Sequence, residues 1–442
     1  MFIAAAFILF CLAWTVLAFT RHPIYGLYFY LATTFVFPQG RWWGYIFEDL
    51  RWALLSAVVT ALAVVFHRGK LQPKPVWIGN TPVVLLTMYA AWMWIQSPWA
   101  LDPADHLKGS TEFVKCLLAL WFVYRVVDSK ERLRDLMFAL VLGCCLLGVY
   151  AQMAGRQGDR LDGVGGPNMD DANTLGMYFA TGAILAISLA MTQTGWRRYV
   201  SAASLILIIN GFVLTNSRGA FLGLAAGVLV LACCMARKYR WMFWSFVFVS
   251  LLGFTAIVDR AFIDRMFTIQ DVASQDEDAD PSARSRLVIA KAQLQMFLDY
   301  PMGAGYRGTA VLSPRYMDRK WLTGDEESAS RSSHNTFLTA LVEQGLPGAA
   351  IYAGLVLWVV AATSRVWRLR GPDFDPELLT LGAALCATLV AIFTAGTTAD
   401  YLTKEIQFWL YAALLSMFWL SAAGNEAGSR SGAAVAMRRM TA

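Results

Sequence analysis

Charge is what this sequence has least of. Asp, Glu, Lys and Arg make up 15% of its 442 residues, where a soluble domain carries about 25%. So little charge excludes a cytosolic enzyme, and a hydrophobic content of 57% excludes a disordered regulator. The seven cysteines (Cys11, Cys116, Cys144, Cys145, Cys233, Cys234 and Cys386) all sit in apolar stretches without a CxxC pair. They read as small hydrophobes, not as a disulfide or metal framework. No HExxH, Cys/His cluster or Gly-rich phosphate loop is present, so no cofactor and no metal is expected. The acidic run Asp276 to Asp280 reads as a solvated loop. Lys and Arg exceed Asp and Glu by 37 to 31, a modest excess whose placement matters more than its size, and no nucleic-acid partner is expected. Internal repeats and mid-span charge patterns are lacking too, which weighs against a secondary transporter or a pump.

What is present is hydrophobicity in blocks of roughly 15–21 residues, each about long enough to cross a ~30 Å hydrocarbon layer as a helix. The fold class is therefore an all-α polytopic membrane protein embedded in a lipid bilayer. Candidate spans fall at roughly 2–19, 24–37, 52–67, 77–97, 112–127, 136–153, 174–191, 199–215, 220–236, 241–258, 336–364, 379–396 and 406–422. The first block lacks a basic leader and a cleavage pattern and reads as a retained span. The second is short and flanked by Pro23 and Pro38, which leaves about 12 transmembrane helices. One set of alternating loops, together with the C-terminal tail, holds 18 basic residues, including Arg132, Arg197, Arg237 and Arg368. The opposite short loops hold five, or eight with Arg21, Arg41 and Arg51. The first set is assigned to the cytoplasm, and an even span count puts the N-terminus there as well. The division is then 1–258 transmembrane, 259–335 a long far-side loop with short helices, 336–422 transmembrane, and 423–442 a disordered cytoplasmic tail. The stretch Asp259 to Ser333 carries 22 of the 68 charged residues, and loops that long are usually functional.

Four polar features fall on the far side. Arg218, in Thr215-Asn216-Ser217-Arg218-Gly219, stands between two apolar blocks; it is either a snorkelling helix-end arginine or an anion ligand. Arg265, Arg284 and Arg286 begin the long loop and its first helix-like run; converging guanidinium groups would clamp a phosphate or pyrophosphate, and the bland alternative is a solvated basic face. His334, in Ser332-Ser333-His334-Asn335-Thr336, lies where the loop re-enters an apolar helix. It is a candidate general base for a hydroxyl, kept unprotonated by nearby cations, or else a helix-capping histidine. The turn Gly163 to Asn173, with Asn168 at its centre, either caps a helix or orients a sugar.

The pattern resembles the bacterial O-antigen ligase (WaaL) and Wzy-type membrane polysaccharide ligase superfamily. The ligase signature, His-Asn followed after nine residues by Gly-x-x-Gly, is met by His334, Asn335, Gly345 and Gly348. Ser285-Arg286-Leu287 followed by Pro301, Gly303 and Gly305, and the Gly-Pro-Asn turn at Asn168, look like the family too. The likeness spans roughly residues 150 to 420, and the N-terminal part is most similar to O-glycosylation ligases found beside exosortase systems. The resemblance implies a metal-independent GT-C-type glycosyltransferase in the bacterial inner membrane, its active site facing the periplasm. Its donor would be an undecaprenyl-diphosphate-linked glycan, and its acceptor a lipid A–core hydroxyl or another glycan or protein. His334 would be the base, Arg218 and Arg286 the diphosphate clamp, Arg265 or Arg284 a third cation, and Asn335 a residue orienting His334. The alternatives are an O-antigen polymerase, a protein or exopolysaccharide O-glycosylation ligase, and, in another class, a lipid-linked oligosaccharide transporter.

Overall fold

The computed structural model describes residues 2–47, 49–156, 158, 160–166, 169, 171–258, 263, 281–325 and 329–440, with backbone alone for 46, 254–257, 281–284 and 424–440. Among them are fifteen α-helices and no β-strand. They are α1 (Phe2–Thr20), α2 (Ile24–Val36), α3 (Trp52–Phe66), α4 (Thr81–Gln96), α5 (Pro103–Val126), α6 (Lys130–Ala154), α7 (Ala172–Thr192), α8 (Trp196–Thr215), α9 (Arg218–Cys234), α10 (Arg240–Ile257), α11 (Pro281–Asp299), α12 (Gly308–Tyr316), α13 (Thr336–Arg368), α14 (Pro376–Ala395) and α15 (Glu405–Met440). The expected all-α multi-pass architecture is present.

Polar caps set the helix starts. Asp102, Ser129, Asp171, Ser217, Asn335 and Asp375 each accept a hydrogen bond from a backbone N–H in the following turn. These caps satisfy donors that a helix end leaves orphaned. The core is built round α7, which is buried along nearly its whole length, and α14. α9 and α14 approach backbone to backbone: a Cβ at Gly227 would lie 2.8 Å from the carbonyl oxygen of Ala387. Glycine allows that approach because lipid-embedded helices associate by close packing.

The count of about 12 membrane-crossing helices is not reached by length and composition. Seven described helices qualify, and α9 with α10, meeting at 117°, make an eighth. α2, α3 and α4 have 13, 15 and 16 residues, short of the ~20 that a full crossing needs, yet they run alongside the long ones.

The direction of the N-terminal segment differs from the expectation. Phe7 packs on Trp43 and Trp52, while Phe19 at the other end of α1 packs on Phe66. His22 lies in the electrostatic field of Arg132, Asp128 and His67. The turn between α1 and α2 therefore belongs to the basic-rich end, and the N-terminus lies at the opposite end. Pro23 is what misleads the sequence reading: it stands as the cap of α2, a position proline tolerates because no intrahelical partner is lost. At the C-terminus α15 continues as helix to Met440, where a disordered tail from Gly424 was expected; its alanines are strong helix formers.

Candidate active site

The site forms at the end of the bundle away from the basic loops, where four links meet. α9 begins at Arg218, whose side chain is only 5% exposed. It is not a snorkelling arginine reaching for water. The next residue, Gly219, leaves no room for a Cβ against the Thr398 hydroxyl, so the α9 start and the 396–400 link are pressed together. A cation at the first helical position adds to the positive end of the helix dipole, and the combination favours an anion.

α11 carries Arg286. It packs through Ile289, Ala292 and Met296 on Leu312 and Val342. Seven residues after Arg286, on the same helical face, the buried Gln293 donates to the Ser333 hydroxyl at 2.9 Å. That bond fixes the segment leading to His334 beside the arginine's helix.

Asn335 caps α13 through Phe337 N and Leu338 N at 2.9 and 3.1 Å, and its amide donates to the Thr397 carbonyl at 3.0 Å. Its polar atoms are thus used on backbone. The sequence reading had Asn335 orienting His334; the structure makes it the cap, and its hold on His334 runs through the chain. Thr336 strengthens the junction, donating to Ala399 O at 2.8 Å and accepting from Tyr401 N at 3.0 Å.

The paired glycine motifs prove to be partners. α13 breaks at Gly345, at φ +64°. The break receives the turn at Pro301: Leu346 N donates to Pro301 O at 2.9 Å, and Ala304 N and Gly305 N donate to Val342 O and Glu343 O, each at 2.9 Å. A left-handed backbone there needs glycine. Tyr306 N then donates to His106 Nδ1 at 2.9 Å, and His106 Nε2 pairs with Met93 O at 2.7 Å. The long loop is in this way riveted to α4 and α5.

These links place His334 between two cavities. The first, about 330 Å³, is lined by Arg218, Arg286, Asn335 and Thr397, with an apolar wall of Leu222, Leu287 and Leu338. The second, about 500 Å³, is polar, with Arg160, Asp171, Asn173, Glu343, Asp400 and Lys404 among its walls. His334 lines both. Burial, then the cations of Arg331 and Arg286, push its imidazole down to about 4, so it is neutral at pH 7. Burial holds the Asp400 carboxyl above the usual carboxylate range.

Of the residues singled out from sequence, Arg218, Arg286, His334 and Asn335 come together at one cavity. Arg265 and Asn168 lie outside the described residues, and of Arg284 the structure describes only the backbone, on α11. Sequence reasoning missed Arg331, Arg160, Asp171 and Asp400. Arg331 stood three residues before His334 as a signal; Arg160 and Asp171 flank the Asn168 turn. Arg160 reaches Asn173 Oδ1 at 2.7 Å, and the Ser217 hydroxyl donates to the same oxygen at 3.0 Å. The 160–173 turn is thereby tied to the start of α9.

Buried helices, short connections and a cation-lined cavity at one end define a multi-pass membrane protein. Residues 202–353 match the family model described as O-antigen ligase (Wzy_C), which supports the likeness to the O-antigen ligase and Wzy-type superfamily. That match holds Arg218, Arg286, His334 and the Gly345 kink, and is narrower than the likeness read from motifs. Over 325 residues, 67% of this chain and 70% of the relative, the sequence is 23% identical to the exopolysaccharide production protein ExoQ of Rhizobium meliloti (strain 1021).

Proposed function

We propose that the chain transfers a polysaccharide from undecaprenyl diphosphate to an acceptor hydroxyl, a sugar of lipid A–core, at the periplasmic face of the bacterial inner membrane. The observation that carries this reading is the position of His334. A neutral imidazole faces a cavity with two arginines and an apolar wall on one side, and a carboxylate-bearing polar cavity on the other.

The donor's diphosphate is held by Arg218 and Arg286, with Arg284 or Arg265 as a third cation, and its polyprenyl tail lies against the apolar wall. His334 takes the proton of the acceptor hydroxyl. The acceptor oxygen bonds to the anomeric carbon as the bond from that carbon to the phosphate oxygen breaks. The electron pair leaves on undecaprenyl diphosphate, whose growing negative charge the arginines stabilise without a metal. A single displacement of this kind inverts the anomeric centre.

The test is deletion of the gene in its source bacterium, with lipopolysaccharide gels beside an assay of undecaprenyl-linked glycan. Loss of the long ladder with polymer accumulating on undecaprenyl is expected, and the His334→Ala gene should fail to restore it. General-base removal costs about 10²–10⁴ in rate; near-wild-type transfer by that variant, correctly inserted, would remove His334 from the role. A second reading has its own support in the exopolysaccharide-production relative, namely that the acceptor is another glycan chain. Collapse to core plus one repeat would favour that polymerase, and an unchanged ladder would favour an exopolysaccharide or protein glycan ligase.

A further inference from the structure

Built mostly from residues before the matched segment, a cavity of about 790 Å³ opens between α2, α5 and the start of α15. It is larger than either cavity at His334 and falls within the ~300–1,000 Å³ range of ligand sites. Tyr30, Trp52 and Tyr306 offer ring surface, Thr34 a hydroxyl, and Glu112 and Glu405 carboxylates. These groups are held in place. Glu405 accepts from the Tyr30 hydroxyl and, at 3.1 Å, from the Trp409 indole. The Tyr306 ring lies over Gly109, where a Cβ would collide with it.

Tyr306 and Arg307 line this cavity and also the polar cavity beside His334. Arg307 forms an ion pair with Asp105 at 2.6 Å on that shared border. The two spaces are therefore neighbours across one wall.

We propose that this cavity is a second carbohydrate-binding chamber, which holds the acceptor glycan behind the sugar that His334 activates; the proposal rests on the glycosyltransferase reading above. The chemistry of the walls selects a glycan. Sugar C–H faces pack on aromatic rings, and sugar hydroxyls donate to carboxylates. A lipid chain would press hydrocarbon on the Glu405 carboxylate, whose partners are the Tyr30 hydroxyl and the Trp409 indole, and gain no polar contact from it. Asp105, Glu112 and Glu405 share these walls with Lys108 and Arg307, and Arg307 is paired with Asp105, so the cavity offers a phosphate no excess of cations.

The test places p-benzoylphenylalanine at Thr34, at Ser332 in the cavity beside His334, and at the exposed Leu54 of α3, in the full chain within membranes of the source bacterium. After illumination, adducts are blotted for the protein and stained for glycan. Glycan-bearing adducts from Thr34 and Ser332 but not Leu54 are expected. A glycan adduct from Ser332 alone, or a lipid adduct from Thr34, would overturn the chamber while leaving the proposed reaction standing. No glycan adduct at either site, with insertion verified, would overturn both. Thr34→Trp, which fills the space, should raise the acceptor KM about tenfold with kcat and the donor KM unchanged; Glu112→Gln, a smaller change, should move the acceptor KM in the same direction. An unmoved acceptor KM in both variants would overturn the proposal.

Discussion

A histidine whose imidazole is pushed down to about 4 stays a base through the range where an ordinary one, near 6.5, becomes a cation. The acid limb of kcat/KM should accordingly lie near pH 4. In Arg331→Gln one of the cations opposing protonation is gone, so that limb should move up towards 6.5 in a pH–rate profile. The same shift bears on stability with a definite sign. The folded chain binds fewer protons at His334 than the unfolded chain, so this contribution is complete above about 6.5 and is lost as pH falls towards 4. Arg218 separates charge from shape. Lys keeps the positive charge but not the planar fork, so Arg218→Lys should lower turnover by about 10²–10³ if donor geometry matters. Retention of activity would make the side chain a simple counter-charge.

Among the elements, the break in α13 carries the argument furthest. Gly345 at φ +64° accepts the Pro301 turn, and a Cβ there would press on Met302, Gly303 and Pro301 backbone. Gly345→Ala should cost about 1–3 kcal/mol and lower the melting temperature in detergent, with the His334 region displaced along with the turn. From sequence, the His-Asn and Pro-x-Gly-x-Gly motifs stood out separately, and their spacing said nothing of each other. They meet because each supplies both N–H groups and carbonyls to the same junction: Leu346 N donates to Pro301 O, while Ala304 N and Gly305 N donate to Val342 O and Glu343 O. Gln293 went unnoticed for a related reason: a lone buried glutamine carries no sequence signal until the Ser333 hydroxyl is found opposite it.

Across the bundle, the basic end is knit by ion pairs and carbonyl contacts. Lys130 pairs with Asp375 at 2.7 Å, Arg134 with Glu377 at 3.1 Å, and Lys74 donates to Tyr124 O at 2.7 Å and the Ser416 hydroxyl at 2.9 Å. The last contact puts the membrane part of α15 with that end at its close, while the start of α1 sits with Trp43 and Trp52 at the other. Reporter fusions should therefore find the two termini on opposite sides of the membrane. Both on one side would reinstate the even count read from the sequence. The short α2 is the cause of the difference: composition measures whether a helix is long enough for lipid, whereas α2 is packed against α1, α3 and α6 and need not meet that length.

The amino acids alone establish the all-α membrane class, the side that collects cations, and the four residues that gather at one cavity. These are legible because hydrophobic block length and loop charge are local properties, and because Arg and His are rare enough at a membrane boundary to be noticed. Folding alone decides that His334 stands between two cavities and loses its proton affinity, that Asn335 is spent on a helix cap, and that Arg160, Asp171 and Asp400 join it from distant links. Burial and the field of charges on other elements come from contacts between segments separated along the chain, and such contacts leave no periodicity or spacing in the sequence.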